Sequence, residues 1–483
     1  MSRNRGWVAA LALSVSGCAV GPDYTPPKTD LQPFHNAVAG VPQKAGQAEP
    51  SMDRWWAGFD DPVLTALEAR ALEQNLDLAA VLARVRQARA AASGAGAALL
   101  PSIDLDGSSH YEHQSLRSPF GAVASTVPGF TRDGHEDAIG PSASWEIDLF
   151  GGLRRGAAAA RDAAQAAEAD RAGIRVMVVA DTADAYLQIR GYQARVAVAQ
   201  AQIVADEQLL ELVRHRLAAG AATQREIAQT EALLGQARAS VPVLRQGLEQ
   251  QLNRLDVLTG SQPGTQAQAL AVPGEIPDIP PIPANPQPVD MLRRRPDIIA
   301  AERRLAATNE QIGAAIGEYY PKLSLSGALG FDSTSTGHLF GASAFQALGG
   351  GALRWRLFDF GKVDAEVAEA RGANAEALAV YRKAVLHAAE DVENALSGLT
   401  QNHARLIELR TEVRSLIEAR DLARQAYRAG AITLTDVLDA DRQLLDAQDQ
   451  LDESRAGVAR AAVGVYRALG GGWATSEVVA SGG

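Results

Sequence analysis

Between Val289 and Phe331 the chain carries two rhythms of apolar and polar residues, VDMLRRRPDIIAAERRLAATNEQIGAAIGEYYPKLSLSGALGF. Ile298, Leu305, Ile312 and Tyr319 recur at every seventh position, the spacing of a helix packed along one seam. After Pro321 the period shortens to two. Leu323, Leu325, Gly327, Leu329 and Phe331 alternate with Lys322, Ser324, Ser326, Ala328 and Gly330, which predicts a strand with one apolar face. Proline disfavours helix in the residue before it and has no backbone N–H to donate, so Pro321 marks the switch.

The same junction occurs earlier. Leu78, Val85, Ala92 and Leu99 keep the seven-residue spacing up to Pro101, and Ile103, Leu105, Gly107, Ser109 and Tyr111 then alternate with polar neighbours. A shift of 220 carries this pattern onto the later one, and a shift of 210 pairs Trp145 with Trp355, Gly151 with Gly361, Gly220 with Gly430 and Thr223 with Thr433. The ten extra residues fall in the first strand-to-strand connection. A first repeat over 61–260 (strands 102–111 and 142–149) and a second over 289–472 (strands 322–331 and 350–358) follow, joined by a Pro-rich linker, 261–288, and ended by a tail, 473–483. Each repeat reads helix, strand, loop, strand, long helix, glycine turn, helix.

The strands reach about 8–11 residues, enough to cross a bilayer at a tilt, and tryptophans stand near their ends as in an aromatic girdle. Four strands cannot close a barrel, and lipid does not tolerate an open sheet edge, so several chains must pool their strands. Three chains would supply twelve. From Arg154 to Ala219, and again from Lys362 to Ala429, no proline interrupts a helix of about 100 Å, long enough to cross an aqueous compartment.

Composition narrows the function. A net charge of −11 argues against nucleic acid as a partner. Residues 1–17, with Arg3 and Arg5 before a short apolar run, read as a signal peptide. The run Val15-Ser16-Gly17-Cys18 resembles a lipoprotein processing box, so Cys18, the single cysteine, is the expected lipidation site. It would carry diacylglycerol and an N-acyl chain, a stable two-signal anchor. Residues 18–60, rich in Pro and Gly, read as an extended lipidated tether.

The runs CAVGPDYTPP, SWEIDLFGGLRR, RRRPDIIAAERRLAA, YYPKLSLSGALG, FDFGKV, YRAGAITLTDVLDADRQLLDAQ and ALGGGW resemble the bacterial outer membrane factor family, the TolC-like efflux channels, and more closely its lipoprotein branch. The resemblance covers nearly the whole mature chain. It implies an α+β membrane protein: a homotrimer with a 12-stranded β-barrel in the outer membrane, four strands per chain, continued through the periplasm by an α-helical coiled-coil barrel. The implied function is the exit channel of a tripartite efflux system. An inner-membrane pump (RND type) and a periplasmic adaptor would be its partners, and Ala19 after the cysteine implies outer-membrane sorting. The alternatives are a type I secretion exit duct and a lipid-anchored periplasmic coiled-coil scaffold.

The two glycine turns carry the candidate site. Gly220 and Gly430 suit left-handed residues ending a helix, and Thr223–Glu226 and Thr433–Asp436 match capping boxes opening the next. These four turn residues, Gly220, Thr223, Gly430 and Thr433, are the expected adaptor-docking tips. Asp439 lies one helical turn beyond Asp436. The resemblance makes Asp436, Asp439, Tyr427 and Glu226 periplasmic gate candidates, with the acids' pKa values raised by repulsion between chains. Ile432 stands where some relatives carry a basic residue.

No catalytic constellation is found, and neither an enzyme nor a cofactor or metal is expected. Gly349-Gly350-Gly351 lacks the Lys-Ser/Thr of a phosphate loop. His110, His113, His135, Glu136 and Asp137, near the hairpin 112–138, have no recognised ligand spacing and read as a polar loop. The Arg293-Arg294-Arg295 run reads as a solvated helix start.

Overall fold

The computed structural model describes residues 19–29, 31–36, 51–283 and 287–474; Cys18 and the signal peptide lie outside them. The chain divides into two compact units. Among the described residues, one comprises those up to Pro27 with Arg86–Ala164 and Arg303–Ala379, the other those within Lys28–Val85, Gln165–Glu302 and from Val380 on.

The repeat is expressed element by element. Helices α1 (Pro62–Gln74) and α2 (Leu76–Ala97) precede strand β1 (Ser102–His113). A short helix, α3 (Pro119–Ala124), lies in the connection to β2 (Asp133–Ile147), and α4 (Gly152–Ala218) and α5 (Gln224–Leu258) follow. The second copy runs α6 (Pro288–Arg294), α7 (Pro296–Gly317), β3 (Lys322–Ser333), β4 (Phe345–Arg354), α8 (Lys362–Arg428) and α9 (Leu434–Ala468). Helices α2 and α7 both have 22 residues, α4 and α8 both 67, and α5 and α9 both 35.

In the first unit the strands form one antiparallel sheet in the order β1-β2-β3-β4. Its register places Ile103 opposite Ala143, Trp145 opposite Leu325, and Leu323 opposite Leu353, so the apolar positions of all four strands share a face. That face is open: Leu105 is 73% exposed, Leu329 54% and Leu353 67%. No layer covers it among the described residues, as expected of a surface meant for lipid and not for a helical core.

The bounds of all four strands differ from the alternation: β1 and β3 run two residues further, to His113 and Ser333, β2 stops at Ile147, and β2 and β4 begin earlier. β2 begins at Asp133, because β1 continues to His113 and offers its backbone that far. β4 spans Phe345–Arg354, so the three glycines lie inside it and Trp355 and Leu357 lie beyond its end. Pairing with β3 sets these limits, and the side-chain pattern of a glycine-rich strand does not reveal them.

The tryptophans beside the strands have equivalent tasks. Trp145 Nε1 donates to the Leu99 carbonyl at 2.9 Å, and Trp355 Nε1 to the Tyr319 carbonyl at 2.9 Å. Each carbonyl belongs to the residue two before the junction proline, where the helix has run out of donors. Replacing either tryptophan by phenylalanine keeps an aromatic ring but removes the indole N–H and orphans the carbonyl. We expect each substitution to cost about 1 kcal/mol, read as an earlier thermal unfolding of the detergent-solubilised protein.

Arg155 on α4 is nearly buried and makes hydrogen bonds to both carboxylate oxygens of Glu310 on α7, at 2.9 and 3.2 Å. It also reaches Asp23 at 2.9 Å and the Val20 carbonyl at 3.2 Å. The first residues of the expected tether are therefore held against these helices.

In the second unit, described parts of the segments that read as tether, linker and tail belong to the core. Residues Met52–Phe59 form a 3-10 helix that buries Trp55, Trp56 and Phe59, and Trp55 stacks on Tyr466 with centroids 5.2 Å apart. Trp473 is 1% exposed and donates to the Arg294 carbonyl at 3.1 Å. The Pro-rich stretch buries Leu270 and Ile282, and Gln193 and Arg190 donate to its Leu270 and Val272 carbonyls. Proline richness removed the periodic signal without removing the packing.

Of the arginine run, Arg293 is exposed as expected, but Arg294 and Arg295 are not simply solvated. Arg294 pairs with Asp53 at 2.8 Å, while Arg295 bridges Asp297 at 2.7 Å and Asp391 at 2.8 Å with only 11% of its side chain exposed. These acids come from three separate segments, so the guanidinium forks tie the start of α7 to its surroundings.

Candidate functional site

The turns after α4 and α8 are built alike, within the second unit. Gly220 has φ +72° and Gly430 φ +75°, the left-handed conformation that an L side chain resists. The Ala221 N–H donates to the Arg216 carbonyl at 2.8 Å, and the Ala431 N–H to the Ala426 carbonyl at 2.9 Å. Both bonds run five residues back, closing the helices with Schellman motifs.

The next helices open on reciprocal caps. The Thr223 N–H donates to Glu226 Oε2 at 2.6 Å, and the Glu226 N–H donates to Thr223 Oγ1 at 3.3 Å. In the second copy the Thr433 N–H and hydroxyl both donate to Asp436 Oδ2, at 2.9 and 2.7 Å. These bonds hold the Asp436 carboxyl below the usual carboxylate range, the Thr433 hydroxyl first among the causes. Within one chain this is opposite to the rise expected from clustered acids.

Tyr427 breaks the symmetry between the copies, for its counterpart is Leu217. Its ring is 2% exposed among Leu209, Leu210, Val213, Ile227, Leu234, Leu434 and Val437, and Ile432 packs against this cluster. Arg216, whose counterpart is Ala426, places its guanidinium 4.4 Å from the ring centroid and donates to the Tyr427 carbonyl at 2.8 Å. A cation–π contact and a charge-assisted hydrogen bond thus tie the first turn to the second. The Tyr427 hydroxyl has no partner among the described residues. Burial pushes its pKa up, with Glu226 adding to the rise and Arg216 opposing it.

The structure separates the four gate candidates by environment. Tyr427 is core. Glu226 and Asp436 are engaged in caps, and Asp439 stands on the surface beside Arg442 at 3.2 Å, each about half exposed.

Two further acids escaped the sequence reading. Asp206 on α4 and Asp441 on α9 are both 0% exposed. Gln202 donates to Asp206 Oδ1 at 2.7 Å, and Arg424 on α8 donates to Asp441 Oδ1 at 2.9 Å. The second carboxylate oxygen of each is buried without a partner among the described residues. Burial pushes Asp206 up to about 6, with the Asp441 charge adding and Arg424 opposing. Asp441 is also raised, by burial against the pull of Arg424. A signal was present: Leu434, Val437, Asp441 and Leu444 follow the 3-4 spacing of a buried seam, with an acid in a core position.

The histidine cluster is divided by the sheet. His113, His135 and Asp137 lie on the face shared by Tyr111, whereas His110, Glu112 and Glu136 lie on the opposite, polar face.

An amphipathic four-stranded sheet with its apolar face bare, in a chain that also carries two helices of 67 residues each, has the parts of a membrane channel subunit. The profile of the outer membrane efflux protein family matches residues 67–261 and 288–471, and the chain belongs to that family. It is 34% identical over 430 residues to the pyoverdine export outer membrane protein OpmQ of Pseudomonas aeruginosa, covering 89% of this chain and 90% of that protein. The toluene efflux pump outer membrane protein TtgF of Pseudomonas putida is 30% identical over 495 residues, covering 96% of each. Among solved structures, the outer-membrane channel OprN superposes with a TM-score of 0.85 at 33% identity, over 94% of this chain and all of that one. The open state of the Neisseria gonorrhoeae MtrE outer membrane channel gives 0.80 at 26% identity, covering 94% and 99%. The chain is an outer-membrane efflux channel of the TolC-like fold, and its family is one of transport channels, not of enzymes.

Proposed function

We propose that this chain works as a lipid-anchored homotrimer, conducting passively what an inner-membrane pump of the RND type delivers through a periplasmic adaptor. The observation that carries the reading is the sheet. It has two free edges, β1 and β4, and a bare apolar face. Free edges are untenable in lipid, and β4 of one chain runs antiparallel to β1 of the next, so a ring of chains satisfies both. Three chains give twelve strands, an even number within the range of outer-membrane barrels. Cross-linked trimers that resist detergent support this, and a monomer or dimer under the same conditions refutes it.

Lipidation at Cys18 completes the anchor. Its test is the mass of the mature amino-terminal peptide, with Cys18→Ser expected to lack the acyl mass.

The turn tips are the adaptor-docking surface, with Gly220, Thr223, Gly430 and Thr433 shaping them. Asp436 and Asp439, repeated around the trimer axis, form the acidic constriction, with Glu226 beside them and Tyr427 holding the turn from behind. Such a ring of like charge favours cations. The double variant Asp436→Ala with Asp439→Ala is expected to lower cation selectivity and change single-channel conductance in planar bilayers. Unchanged values for both would remove these acids from the gate.

A further inference from the structure

We infer that His110, Glu112 and Glu136 form a binding site for a divalent first-row transition cation on the polar face of the sheet. His110 and Glu112 are two residues apart on β1 and therefore share a face, and Glu136 is the antiparallel partner of His110 on β2. A ligand atom of each lies within 4.8 Å of the others, and His110 Nε2 is 3.2 Å from Glu136 Oε2. Tetrahedral ligands at zinc bond lengths of about 2.0–2.2 Å stand roughly 3.3–3.6 Å apart, so small rotamer changes would complete the triangle. The residue opposite Glu112 is Gly134, and a side chain added there would meet nothing within 4 Å, which leaves the site open.

The donor set selects the ion. One imidazole nitrogen with two carboxylates suits zinc or a neighbouring transition ion, whereas calcium needs about six to eight oxygens and magnesium keeps a mainly aqueous shell. Water would fill the remaining positions of this exposed site. The same face of β1 also carries Asp104 and Asp106, whose charge would concentrate cations along the approach. His113 and His135 project from the other face and cannot join.

The site's consequence rests on the channel reading above: if the polar face lines the lumen, three such sites ring the conduit near the strand ends remote from Pro101. Zinc titration of the full-length, untagged protein in detergent by calorimetry tests the ligands directly. We expect one saturable site per chain, weakened by at least about tenfold in His110→Ala and in Glu136→Gln, and unchanged in His113→Ala. Equal affinity in all four proteins, or no saturable zinc binding, would overturn the proposal. Glu136→Gln is isosteric at a half-exposed position, so retention of the oligomer on a gel separates lost ligation from lost fold. In planar bilayers, zinc should reduce current through the wild type and not through His110→Ala. Site-specific binding without any effect on current would overturn the lumenal placement and leave the ligand set standing.

Discussion

Tyr427→Ala is expected to loosen both helix turns at once, whereas Tyr427→Phe should leave them intact. The alanine removes a nearly fully buried ring from the cluster of Leu209, Val213, Ile227 and Leu434 and takes away the face on which Arg216 lies. Large-to-small truncation of a buried aromatic costs about 3–5 kcal/mol. Here the loss falls at the end of a helix pair, so it should show as local opening. Amide exchange in residues 209–234 and 423–437 should accelerate well before global unfolding. Phenylalanine removes only a hydroxyl with no partner among the described residues, so protection should be retained or slightly improved. Equal protection in the alanine variant would show that the ring is not what ties the turns together.

A pH-dependent stability of the same region is the second large effect. The folded chain holds the Asp206 carboxyl near 6, above the ordinary carboxylate range near 4 that applies when it is unfolded. Between those values the folded state binds more protons, so this group's contribution is fully present below about 4 and declines as pH rises through about 6. Acidification from pH 7 to pH 5 should therefore raise the unfolding temperature. Asp206→Asn should stabilise the fold at pH 7 by up to about 3 kcal/mol, read as a higher unfolding temperature, and flatten the pH dependence between those points. Asp436 acts in the opposite direction: its depressed pKa gives stability that is lost only as pH falls below the usual carboxylate range. Asp441→Ala should destabilise by about 3 kcal/mol, because Arg424 would be left partly buried without its carboxylate. A flat unfolding profile from pH 7 to pH 5 in the wild type would refute the assignment to Asp206.

Much of the architecture was legible because it is written twice. A change of period at Pro101 and again at Pro321, and matching glycines at Gly220 and Gly430, locate the elements without reference to their packing. The strand faces were legible because a pleated strand fixes the side of each side chain. What escaped depended on contacts between distant residues. Trp55 and Trp473 sit in segments without periodicity, and their burial depends on Tyr466 and Arg294, far away in sequence. Arg295 looks like a surface charge until Asp391 is brought to it. At the candidate site, the caps were readable from a four-residue spacing. The tie between Arg216 and Tyr427 was not, because it exists only where the two repeats differ.

The equal lengths of the paired helices, 67 with 67 and 35 with 35, restrict how this chain tolerates insertion and deletion. One residue added to an α-helix turns everything beyond it by about 100° and advances it 1.5 Å. Added to α4 alone, it would rotate Asp206, Leu210 and Val213 away from their neighbours and set Gly220 out of step with Gly430. The strand-to-strand connections bear no such phase relation, and there the two copies already differ in length. Changes of chain length in the helices are thus errors of register, while in the segment 114–132 they are only changes of loop.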